Sequence, residues 1–174
     1  MGREIRKVPG DWQHPRWTKD DCLREELIGK LRPIHDEDYD TAAQEWIVNL
    51  KLWDAGTHPD QQGKDRQEWK YYWDWDGGPP AKDCYRERKW TEAEATHFVV
   101  YETVSEGTPV TPAFATAQAL IDHLVLNGTD WDEGKGWNPK SAEQFVKAGW
   151  APSMIMRLGV GIKTVNEPGF FEQG

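Results

Sequence analysis

The chain has 174 residues, with 30 Asp and Glu against 21 Lys and Arg and a formal net charge of -9. That acidic balance disfavours non-specific binding to nucleic acid or to an anionic membrane, and the interspersed cations argue for an ordinary solvated surface rather than a DNA mimic. Apolar residues make only 37% of the chain, but eleven Trp help to bring the aromatics to 12%, more than a disordered chain would carry; rings that each bury about 150–250 Å² predict a Trp-rich core under a charged surface.

The sequence lacks a run of 18 apolar residues, so a spanning helix is not expected. The first residues, Met1 to Lys7, are not followed by the apolar stretch of a secretory signal. Cys22 and Cys84 are too few for a disulfide framework and form no CxxC. Reduced thiols in a cytoplasmic setting are the simplest reading.

Residues 1–20 hold Pro9, Trp12, Pro15 and Trp17 without a helical period, and read as an extended arm anchored by its two Trp rings. Residues 23–31 suit a short helix stopped at Arg32-Pro33, because the residue before Pro avoids the helical region. The clearest helix of the first half follows. Asp40 or Thr41 caps it, Gln44 completes a T-x-x-Q box, and Ala43, Trp46, Ile47, Leu50 and Trp53 form one apolar stripe. Gly56 is its stop. In the run 69–75, Trp69, Tyr71, Trp73 and Trp75 alternate as in a strand, whereas Trp69, Tyr72 and Trp73 would share a helix face. The pattern leaves both open.

Thr91 and Glu94 form a capping box that predicts a short helix. Residues 97–104 favour a strand, residues 105–109 a turn, and residues 110–114 a second strand limited to an edge by proline. Thr116 opens a helix with Ala117, Leu120, Ile121, Leu124 and Val125 on one face, closing at Asn127-Gly128. A Gly-rich loop over 129–139 leads to a short helix capped by Ser141 and Gln144. Residues 154–156 and 160–165 read as a last strand or hairpin, and 167–174 as a loose tail onto which Phe170-Phe171 could dock. Helices and strands mix without a βαβα rhythm, which favours α+β. The expected architecture is a single compact domain over 21–166, a small mostly antiparallel sheet packed by several amphipathic helices.

Known catalytic and metal patterns are missing. Asp130-Trp131-Asp132 starts like a calcium loop, but Lys135 and Ser141 stand where an EF-hand needs Gly and Glu, so an acidic surface turn is expected. His14, His35, His58, His97 and His123 show no ligand spacing. Asp36-Glu37-Asp38 precedes a helix, where carboxylates offset the dipole. No phosphate cradle or G-x-S-x-G setting is present. The reading therefore assigns no catalytic residue, no metal and no cofactor. The aromatics Tyr71, Trp73 and Trp75 are the candidates for stacking on a base or filling an interface hot spot. Tyr101 with Ser105, Glu106 and Thr108 of the neighbouring turn offers a small-ligand edge.

The chain resembles a widespread group of tailed-bacteriophage and prophage proteins. The likeness rests on Gly2-Arg3-Glu4-Ile5-Arg6 with Val8-Pro9, Trp12 and His14-Pro15, on Tyr39-Asp40, Ala42-Ala43 and Glu45-Trp46, and on Tyr71-Tyr72-Trp73. It is strongest in the string from Tyr101 to Val110, YETVSEGTPV, and closes in Gly149-Trp150-Ala151-Pro152-Ser153-Met154. It carries no activity and no site residues. It implies a setting, a phage protein acting in a bacterial cytoplasm. The leading expectation is a non-catalytic accessory protein that binds a host protein and modulates or inhibits a host system such as antiviral defence. The alternatives are a binder of a small nucleotide-like ligand and a virion or assembly component. No oligomeric state follows from the sequence.

Overall fold

The computed structural model describes residues 2–20, 24–62, 69–103, 107–157 and 161–171. The class is α+β, and contacts group the chain into two compact units, Met1–Pro33 with Trp90–Gly174 and, separately, Ile34–Lys89. No helix among the described residues is long and apolar enough to cross a membrane.

The first unit is built on strands β1 (Gly2–Val8), β2 (His97–Thr103), β3 (Gly107–Pro109) and β4 (Trp150–Pro152). They form one antiparallel sheet of order β3-β2-β1-β4. The expected arm is therefore, over Gly2–Val8, an interior strand. It pairs with β2 from Gly2↔Thr103 to Val8↔His97, and with β4 from Gly2↔Pro152 to Glu4↔Trp150.

Strand residues alternate between faces, and both faces of this sheet are covered. On one, Ile5, Phe98 and Val100 join a core of Leu120, Leu124, Trp137 and Phe145. Helices α3 (Ala117–Asn127) and α4 (Pro139–Ala148) supply three of these side chains. Each buried Leu or Phe contributes about 1.5–3 kcal/mol relative to exposure. On the other face, Val8, Val99 and Tyr101 pack with Trp12 and Trp90, whose rings meet edge to face at 4.8 Å.

Local chemistry sets the element ends. Thr116 caps α3 by accepting from the Ala119 amide at 3.1 Å, and the Gly128 amide closes it onto Leu124 O at 2.9 Å. In α4 the cap is Asn138, not Ser141, because Pro139 pre-sets the first turn. Ser141 is buried and donates its hydroxyl to Glu167 O at 2.7 Å. Residues 110–114 continue alongside β2: Val110 N–H donates to Val100 O at 2.8 Å, and the Thr111 hydroxyl accepts from Val100 N–H at 3.0 Å. The chain then closes with a separate hairpin, β5 (Met154–Arg157) and β6 (Gly161–Thr164). Phe170 is buried in the main core, so the tail docks there.

Two expected helices are absent. Of residues 23–31, those described form only a 3-10 turn at Glu25–Leu27. At Thr91 the capping bonds exist, the amide donating to Glu94 Oε2 at 2.9 Å, but only a turn forms before β2 begins at His97.

The acidic turn is not a surface feature throughout. The Asp132 carboxylate is only 6% exposed and faces Arg3 of β1 at 3.2 Å, itself 10% exposed. It also accepts from the Thr129 amide and hydroxyl and from Trp137 Nε1, each at 2.7 Å. Burial pushes its pKa up, but the bonds from Trp137 and Thr129 and the Arg3 charge outweigh that and leave it below the ordinary value.

In the second unit, α1 (Tyr39–Asp54) starts from Asp38, whose carboxylate accepts from the Thr41 amide at 3.1 Å and hydroxyl at 2.9 Å. Asp38, rather than Asp40 or Thr41, is the cap. Trp53 is buried as the stripe predicts, but Ala42 rather than Ala43 is the buried alanine and Ile47 is 47% exposed. The aromatic run is neither a strand nor a long helix. It makes one helical turn, α2 (Tyr72–Asp76), ended by Gly77 at φ 93°, whose amide donates to Trp73 O. That left-handed conformation suits glycine.

Candidate functional site

The centre of the second unit is an aromatic cluster. Buried Trp53 lies 5.7 Å from Tyr72 and 5.5 Å from His58, and Trp75 stacks on it at 6.2 Å. Trp46 lies 5.7 Å from Tyr72. Because α2 is a single turn, pointing Tyr72 inward turns its neighbours outward. Tyr71 and Trp73 are 40% and 45% exposed, and Trp69 is 43% exposed. The Tyr71 and Trp73 rings stack on each other at 4.5 Å with planes 9° apart, and Lys70 Nζ lies 5.0 Å from the Tyr71 ring. The sequence candidates thus divide: Tyr71 and Trp73 form an exposed ring pair, while half-buried Trp75 packs inward on Trp53.

Beside the cluster lies a pocket of about 180 Å³. Trp46, Tyr72 and Tyr85 supply aromatic walls, and Glu37, Glu45 and Asp76 line it with carboxylates. His35 stacks on Tyr85 at 4.6 Å and fixes that ring. Burial raises the Tyr72 hydroxyl's pKa, the Asp76 carboxylate raises it further, and Asn49 acts the other way. Burial raises the Glu37 pKa, and the neighbouring Glu45 and Asp38 carboxylates raise it further; His35 and Arg86 act the other way. Trp46 Nε1 is buried without a hydrogen-bond partner. None of these pocket residues was among the sequence candidates. Glu45 and Asn49 at i, i+4 beside Trp46 were the only local signal; Tyr85 and Asp76 come from remote segments.

In the first unit, Tyr101 is buried at 2% exposure. Its hydroxyl lies 3.1 Å from His14 Nδ1, and His14 Nε2 lies 2.8 Å from Arg32 O. A carbonyl only accepts, so Nε2 carries the proton, Nδ1 accepts, and the Tyr101 O–H donates to it. Burial lowers the His14 pKa to about 4, against the Arg32 carbonyl bond, and the Arg6, Arg16 and Arg32 charges lower it further. The Arg6 guanidinium lies 4.3 Å from the Tyr101 ring centroid. Trp12, His14, Tyr101 and Thr111 help line a small pocket of about 110 Å³. Thr108 does not join them; its hydroxyl donates to Glu102 Oε1 at 3.0 Å. Ser105 and Glu106 lie outside the described residues, as does Cys22. Neutral and fully engaged, His14 acts here as a clamp on Tyr101.

No family model, curated protein or solved structure matches this chain.

Proposed function

We propose that this chain is a non-catalytic accessory protein of bacteriophage origin that binds a host protein in the bacterial cytoplasm and modulates the system to which that protein belongs. The observation that carries this reading is the exposed Tyr71–Trp73 pair. Two large rings held face to face on a one-turn helix present apolar area at little cost in side-chain entropy, the character of an interface hot spot. Their exposure next to Trp69 supports a partner rather than a core role. The resemblance to tailed-phage proteins gives the setting, with antiviral defence as the first host system to test.

The test is capture from a bacterial lysate by the intact protein and by Tyr71→Ala/Trp73→Ala, with phage growth measured on defended and undefended hosts. A host protein held by the first and lost by the second, together with reduced phage growth on the defended host only, is the expected result. Equal capture by both, or unchanged growth of phage lacking the protein, overturns the reading. The same ring pair suits stacking on a nucleobase, which favours nucleotide binding as a second reading. Trp fluorescence quenched by millimolar nucleotide would support it, and a flat titration would remove it.

A further inference from the structure

We propose that the pocket between α1, α2 and the segment around Tyr85 is a guanidinium site that takes an arginine side chain. Its lining combines two features that recognise this group. Aromatic faces from Trp46, Tyr72 and Tyr85 attract a cation through their quadrupoles, and a planar guanidinium stacks on such faces where a lysine ammonium does not. Glu37, Glu45 and Asp76 supply three carboxylates, and among the described residues the lining holds no Lys, Arg or His. The Arg86 guanidinium, whose charge acts on Glu37, donates to the Asp36 carbonyl at 2.7 Å. Burial raises the Glu37 pKa first, the Glu45 and Asp38 charges add to it, and a bound cation would offset that negative charge.

Trp46 supplies an independent indication. Its indole N–H is buried and has no hydrogen-bond partner among the described residues, a deficit that an acceptor reaching it would make good. An occupant with an acceptor as well as a positive charge would suit both the indole and the carboxylates. A bare metal ion has none, and among the described residues no three His, Cys, Asp or Glu are grouped to hold one. Arginine has both, through its guanidinium and its carbonyl or carboxylate oxygens. Free arginine and an arginine within a partner protein share this chemistry.

The inference deepens the binding reading and rests on it only for the larger partner. The test is an amide and indole ¹⁵N NMR titration with N-acetyl-arginine methylamide, free arginine, and N-acetyl-lysine methylamide at matched ionic strength. Trp46→Phe assigns the indole signal. The expected result is a saturable, millimolar shift of the Trp46 Nε1–H signal with blocked arginine, about tenfold weaker with blocked lysine. Glu37→Gln/Glu45→Gln should weaken arginine binding about tenfold, and Asp76→Asn gives a second carboxylate lesion if the double variant folds poorly. Similar affinity for blocked and free arginine points to a protein-borne residue; much tighter binding of the free form points to the amino acid itself. A flat titration, or equal shifts with lysine that survive loss of the carboxylates, overturns the guanidinium site. A flat titration would leave partner capture through Tyr71 and Trp73 standing, and failed capture would leave a positive titration standing.

Discussion

Replacing Asp132 by Asn probes the tie between the central strand and the loop after α3. The exchange preserves shape and removes one charge. Oδ2 accepts from Thr129 twice, from Trp137 and from Arg3 Nη1, and Oδ1 accepts from Arg3 Nη2 and Asn166. An amide can keep only one side of this arrangement. If its oxygen stays with Thr129 and Trp137, its NH₂ confronts the Arg3 guanidinium, a donor against a donor beside a buried charge. Breaking one partner of a buried pair costs about 3–5 kcal/mol. For a chain of this size each kcal/mol lowers Tm by about 2–4 °C, so the variant should melt at least about 6 °C lower. Urea denaturation followed by far-UV circular dichroism measures the free energy directly. The pH dependence supplies an internal check. The folded Asp132 pKa is lowered, so its stabilisation is complete above the unfolded value of about 3.9 and is lost as pH falls through the folded value. The gap between wild type and Asp132→Asn should therefore be wide at neutral pH and narrow below about pH 4. A loss under about 1 kcal/mol at pH 7, or a gap that does not narrow in acid, would refute the argument.

Three further outcomes are expected. His14 should titrate near pH 4 by ring NMR, and because the unfolded chain takes up that proton first, near 6.5, stability should fall as pH drops from about 6.5 to 4; an ordinary titration midpoint would contradict the Tyr101–His14–Arg32 arrangement. Gly136→Ala would set a Cβ onto the Val125 carbonyl oxygen and should cost about 2–3 kcal/mol by thermal denaturation; a neutral substitution would mean the loop relaxes freely. Trp73→Ala should leave stability within about 1 kcal/mol, since the ring is nearly half exposed, and a large loss would assign it to folding rather than recognition.

The sequence was most legible where local chemistry and burial agree. In α3 the Thr116 cap, the Leu120–Leu124 spacing and the Gly128 stop coincide with the structure. The aromatic character of Tyr71 and Trp73 was also visible, though the one-turn geometry that stacks them was not, because the run satisfied two periods equally. In α1 the expected stripe assumed that apolar residues turn inward. Asn49 lies against Tyr72 instead, and Ile47 stays outside. The interior position of β1 was hidden for a related reason. Arg3, Glu4, Arg6 and Lys7 look like a solvated segment, and burial of the two arginines is made tolerable by Asp132 for Arg3 and by Glu4 and the Tyr101 ring for Arg6. The guanidinium pocket was invisible because residues 37, 45, 76 and 85 meet only in the folded unit.

The position of β1 also bears on how the chain is made. Its partner β4 lies nearly 150 residues downstream, and ribosomes add about 5–20 residues per second. The edge of the strand that β4 covers therefore stays open for roughly 7–30 s on each nascent chain, while β2 reaches the other edge sooner. An apolar strand left waiting that long would be an invitation to pair with its counterpart on a neighbouring polysome. Four charges in seven residues keep it solvated in the interval, and Arg3 finds its carboxylate only once Asp132 has been synthesised.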